Sequence, residues 1–116
     1  MSDYLPKFKP GQAVTFKASA AITGGRLVEV TGNRTVAHAG ADSAKVVGVA
    51  GFDAAIGDDV VVYAGGVQRL TVTAAVAAGA TVTAGAGGKA TTGGTNKIGT
   101  ALEAAAAADD VIDVQV

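Results

Sequence analysis

Several stretches of this chain hold residues of the kinds that do chemistry. "AGAGGKATT" (84–92) has the glycines and lysine of a loop that cradles phosphate. A Walker loop needs a glycine five residues before its Gly-Lys pair and Ser or Thr directly after the lysine. Thr83 and Ala90 stand at those places, and the setting reads as a β-turn, so phosphate binding is not expected. Asp58-Asp59 and Asp109-Asp110 are paired carboxylates, as general acid/base catalysis or a divalent cation would require. Adjacent strand residues point to opposite faces, however, so neither pair converges. Aspartate is common at turns because its side chain accepts from nearby backbone amides, and no calcium-loop spacing is present. His38, the only histidine, lies in "TVAHAGADS" and reads as a surface residue beside a turn. Ser2, Ser19 and Ser43 have no base at a telling distance and no nucleophile-elbow pattern. The expectation is a protein with no catalytic, cofactor or metal site.

What would have to position such residues is equally plain. Ala (26), Gly (17), Val (17) and Thr (12) make up 72 of 116 residues, while Leu, Ile and Phe together number 11. Burial stabilises by roughly 25 cal/mol per Å², and Ala and Gly bring little area, so the core must be thin. Val and Thr favour pleated sheet and Gly supplies turns. The length fits a single domain spanning 1–116. A formal net charge of −1 gives no reason to expect nucleic acid or an anionic membrane as partner. No apolar run approaches the ~20 residues of a membrane span, and the first residues lack a secretory-leader pattern. Cysteine is absent, which excludes disulfides and thiolate metal sites.

The chain also repeats itself. "AAITGGRLV" (20–28) matches "AAVAAGATV" (74–82) at an offset of 54. The offset then falls to 51, where "VVGVA" (46–50) faces "KIGTA" (97–101) and Asp58-Asp59 faces Asp109-Asp110. Residues 13–65 and 66–116 therefore read as related halves, expected to close on each other in a small barrel. Strands are expected at 13–19, 26–31, 45–50, 59–64, 67–73, 81–84, 97–102 and 111–116, with glycine-rich turns between. "LEAAAAADD" (102–110) has helical propensity but sits opposite a strand connection, so at most a short helical turn is expected.

Ahead of the strands, residues 1–12 form an arm. Pro6 and Pro10 lack amide hydrogens and push the residues before them toward extended conformations. Tyr4, Leu5 and Phe8, with Lys7 and Lys9 between them, either fold back to cap the barrel or dock on a partner. Charge polarity favours docking. Lys7, Lys9 and Lys17 cluster near the start, and Glu103, Asp109, Asp110 and Asp113 near the end, where neighbouring subunits could pair them.

"YLPKFKPGQAVTFKASAAITGGRLVEVTG", "KVVGVAGFDAAIGDDVVVYAGGVQRL" and the second "AAVAAGATVTAG" resemble the capsid decoration (cement) proteins of tailed bacteriophages, notably those of actinobacterial phages. The resemblance covers nearly the whole chain and rests on ordered Gly/Ala/Asp-Val punctuation and the arm. It implies an all-β, barrel or tulip-like domain without enzymatic activity or cofactor. Such a domain is assembled in the host cytoplasm onto the outer surface of the virion, often as a homotrimer. Its partners would be the major capsid protein, whose neighbouring subunits it clamps, and itself. Only the arm, Tyr4, Leu5, Pro6, Lys7, Phe8, Lys9 and Pro10, is carried over as the partner-binding site. The competing reading is a carbohydrate- or surface-binding β-domain of a phage or bacterial appendage. It is weakened because residues 64–116 contain no aromatic platform.

Overall fold

A computed structural model describes residues 7–8 and 11–116. Among these lie ten strands: β1 Val14–Ala18, β2 Leu27–Gly32, β3 Thr35–His38, β4 Val46–Ala50, β5 Asp59–Tyr63, β6 Val67–Thr71, β7 Thr81–Ala84, β8 Ala90–Thr91, β9 Lys97–Ala101 and β10 Val111–Gln115. The molecule is all-β, with one 3-10 turn at Ala86–Gly88. Eight of these strands fall where β-branched runs between turn signals place them. β3 and β8 were not expected, since "TVAH" and "AT" are too short to stand out from the turn residues around them. The alanine run after β9 forms no helix; Ala105 instead makes an antiparallel bridge to Val76.

The way the sheet closes differs from the expected single barrel made of two halves. β1 to β5 close on themselves in the order β1-β3-β2-β4-β5, with β1 antiparallel to β5 and parallel to β3. β6 to β10 form a second five-stranded sheet, β6-β10-β9-β7-β8, whose outer edges meet at a parallel bridge between Val72 and Ala90. The connectivity is thus the same twice over. Each half has a lumen of its own, so neither needs the other to cover its inner face. The first lumen is filled by Ala18, Ile22, Val28, Val36, Ala50, Ala54, Val60 and Val62. Their counterparts in the second, Val72, Val76, Val82, Ala90, Ala101, Ala105, Ile112 and Val114, are all buried too.

The correspondence also corrects one alignment. Asp58 matches Asp110, not Asp109. Ala18 N–H donates to the Asp58 carbonyl as Val72 N–H does to that of Asp110, and each carboxylate accepts from its own loop, at Ala55 and at Ala106 and Ala107. Asp109 takes the place of Gly57, both with positive φ (68° and 86°). Gly48 and Gly99 do coincide. A Cβ on either would run into the carbonyl oxygen of the facing strand, at Tyr63 and Gln115 respectively.

The two barrels are joined through the outer face of the first. Leu27 and Val49 point away from their own lumen, since each neighbours an inward residue in its strand, yet they are only 1% and 4% exposed. Both pack into the second barrel's cluster, together with Ala39. Gly88 N–H donates to the Ala39 carbonyl at 2.9 Å, and Arg26 Nη1 to the Gly87 carbonyl at 3.2 Å. Asp42 adds a polar clip. Its Oδ1 accepts from the N–H groups of Thr95 (2.9 Å) and Asn96 (2.8 Å), and its own N–H donates to the Ala84 carbonyl.

Two substitutions test this architecture by chemical denaturation. Leu27→Ala should cost about 2–5 kcal/mol, the usual range for emptying a well-packed Leu site. A cost under about 1 kcal/mol would mean the joint does not depend on this contact. Gly99→Ala should cost about 1–3 kcal/mol, because the added methyl overpacks the β9–β10 crossing.

Candidate binding surface

Phe8 lies back on the first barrel. The Arg34 guanidinium sits between two rings, 5.2 Å from the centre of Phe8 and 5.4 Å from that of Phe16. Arg34 ends the Gly-Asn turn between β2 and β3 with φ of 51°, and its Nη2 donates to the Thr15 carbonyl at 2.7 Å. The turn therefore aims a cation at the end of the barrel, where Phe16 is only partly buried. Phe8 forms the outer leaf of the stack and keeps 36% of its surface exposed, while Lys7 is exposed. Tyr4, Leu5, Pro6, Lys9 and Pro10 lie outside the described residues.

The charge polarity between the chain's ends is largely spent within the molecule. Lys17 pairs with Asp59 at 2.7 Å and Lys89 with Asp109 at 2.7 Å; Asp113 faces Arg69 at 3.9 Å. Asp110 holds its own loop, and Glu103 accepts from the Asp113 N–H at 2.8 Å. The Lys89 ammonium lowers the Asp109 pKa, and the backbone amides of Asn96 and Thr95 lower that of Asp42. The Gly-rich loop is used structurally as well: Gly88 N–H goes to Ala39, and the lysine to Asp109. No cluster of three potential metal ligands occurs among the described residues.

His38 differs from the surface reading. It ends β3, is half-buried, and its Nε2 accepts a 2.8 Å hydrogen bond from the Thr23 N–H. An imidazole can accept there only when neutral. Burial, then the Arg26 charge, lowers its pKa below the ordinary 6.5. Arg34 and Asp42 are the residues that sequence reasoning passed over. Asp42 carried a signal in its turn-forming context, "AGADS". Nothing local announces that Arg34 would reach two aromatic rings.

The model of the phage cement protein family matches residues 8–116, from the stacked Phe8 through both barrels. The chain belongs to this family. As a cement protein it is a capsid-associated structural protein of a phage. Its fold is shared with the head fiber gp8.5 N base of bacteriophage phi29, at a TM-score of 0.75 and 20% identity, covering 90% of this chain and 92% of that one. No curated protein sequence matches it.

One prediction concerns pH. A folded-state pKa below the unfolded value means that His38 supports the fold fully above about pH 6.5 and loses that support as pH falls through the lowered folded value. The melting temperature of this cement protein should therefore decline between pH 7 and 5. His38→Gln, which keeps an acceptor that does not titrate in this range, should flatten that decline. Glu29, Asp42 and Asp109, with lowered pKa values, add acid sensitivity only below about pH 4.5. An equally steep decline in the variant between pH 7 and 5 would rule His38 out as its source.

Proposed function

We propose that this cement protein decorates the outer surface of a phage capsid, bridges neighbouring major-capsid subunits and works as a homotrimer without catalysis. The observation that carries the reading is the family match, which runs through both barrels rather than over one element. The phi29 neighbour described as part of a head fiber points to the same part of a virion. The thin lumens support association. Barrels lined by Ala and Val bury little area per residue, so contacts between copies and with the shell add the burial that one chain lacks. Repeated over a shell, weak contacts at capsomer joints become collectively strong.

In this reading residues 4–10 dock on the shell. Phe8 is pinned on Arg34 and acts as the hinge point from which Tyr4 and Leu5 reach the partner. The experiment is co-sedimentation with shells assembled from the major capsid protein. The full chain should bind and should raise the melting temperature of the shell. Deleting residues 2–7 should weaken binding while the protein's own melting temperature stays constant, because Phe8 and the strands remain. Phe8→Ala should instead lower the protein's own stability by about 0.5–1 kcal/mol, the size of an exposed cation–π contact. Light scattering should give three times the 11.2 kDa chain mass. Shells that do not retain the protein would refute decoration, and a monomer on and off the shell would refute the trimer.

A further inference from the structure

The two barrels share one plan but not one surface. At the start of the β4–β5 connection the first barrel has Gly51 and Phe52, with Tyr63 at the end of β5; the second has Leu102, Glu103 and Gln115 in the matching places. Phe52 and Tyr63 are 47% and 48% exposed. Since the second barrel folds with polar residues there, the barrel plan does not call for these aromatics. Gly51 completes the arrangement. A Cβ there would lie 2.7 Å from Cε2 of Tyr63, so the glycine makes room for the ring.

Tyr63 is the cross-strand partner of Val49, and such partners share one face of a sheet. Val49 lines the groove between the barrels, a space of about 250 Å³ walled by Val46, Val47, Ala64, Ile98 and Val116. Lys97 is the one charged side chain lining it and forms no ion pair among the described residues. The carboxylates tell what kind of partner fits. Glu29 accepts from Gly40 N–H, Asp42 from Thr95 and Asn96, Asp53 from Gly24 and Asp58 from Ala55. Asp59, Glu103, Asp109, Asp110 and Asp113 are engaged as described above. Every acidic side chain among the described residues is therefore used within its own chain. Drawing one of these carboxylates to Lys97 of a second copy would compete with the contact it already makes, so a carboxylate supplied by another protein is the better complement to this lysine.

We propose that the groove between the barrels, flanked by Tyr63 and charged only by Lys97, receives an extended apolar segment bearing a carboxylate from the shell subunit. This rests on the decoration reading and names the surface through which the body of the protein, as distinct from its arm, grips the shell. Apolar area supplies the contact, and the lysine fixes the register of the incoming segment.

The test uses the same shells with three variants: Tyr63→Gln, which installs the second barrel's residue, Lys97→Glu and Lys97→Arg. Tyr63→Gln and Lys97→Glu should each weaken shell binding about tenfold or more, with trimer mass and melting temperature unchanged. Lys97→Arg should bind as the parent does, and the defect of Lys97→Glu should shrink as salt rises. Undiminished binding by Lys97→Glu and Tyr63→Gln would overturn the proposal, as would a changed oligomer mass with binding retained, which would make the groove a contact between copies. If Tyr63→Gln alters melting, Lys97→Glu, an exposed change, decides. A parent protein that never binds shells would refute decoration itself, a separate outcome.

Discussion

The width of the barrel lumen governs the rest of this structure. Five short strands enclose a space that accepts Ala, Val and Ile and nothing larger; Phe16, the one aromatic directed along it, stays at the end and only partly buried. At the tightest crossings even a methyl group is excluded, as Gly48 and Gly99 show. A lumen this narrow yields little buried area, so stability has to be found outside it. The chain finds it by making the outer wall of one barrel apolar. Leu27 and Val49 are surface residues of the first barrel that become core residues of the pair. The corresponding wall of the second barrel carries Thr81 and Thr100 instead, polar residues that no neighbouring barrel covers here.

Polar groups follow the same economy. Backbone amides left over at barrel ends and loops are met by carboxylates, at Asp42, Asp53, Asp58, Asp110, Glu29 and Glu103. His38 joins them as a neutral acceptor. The remaining described Asp side chains face lysine or arginine. Every acidic side chain among the described residues thus has a role within its own chain.

Much of this could be read before any coordinates. The all-β class follows from Val and Thr between glycine turns, and eight strands lie within a residue or two of where those turns place them. Other features were illegible for physical reasons. β3 and β8 owe their pairing to closure of the sheet, a long-range event that four or two residues cannot encode. The one-residue slip between Asp58 and Asp109 arises because a doubled Asp in Ala-rich sequence fits two registers equally well, and only the backbone and carboxylate hydrogen bonds distinguish them. Arg34 meets Phe8 and Phe16 from a turn with positive φ, a contact between residues far apart in sequence that no local pattern encodes.

What the sequence determined by itself was local: the alternation that makes strands, the glycines that break them and the small side chains that limit the core. Tertiary structure alone decided which strand edges met, and so whether there would be one barrel or two. It also decided which outward-facing apolar residues became interior and which described lysines found an ion-pair partner. The reason is that side-chain direction alternates within a strand, while exposure depends on what lies across from it. Leu27 and Tyr63 are both outward-facing residues of the same small barrel. One is covered by its neighbour and the other is left to the solvent.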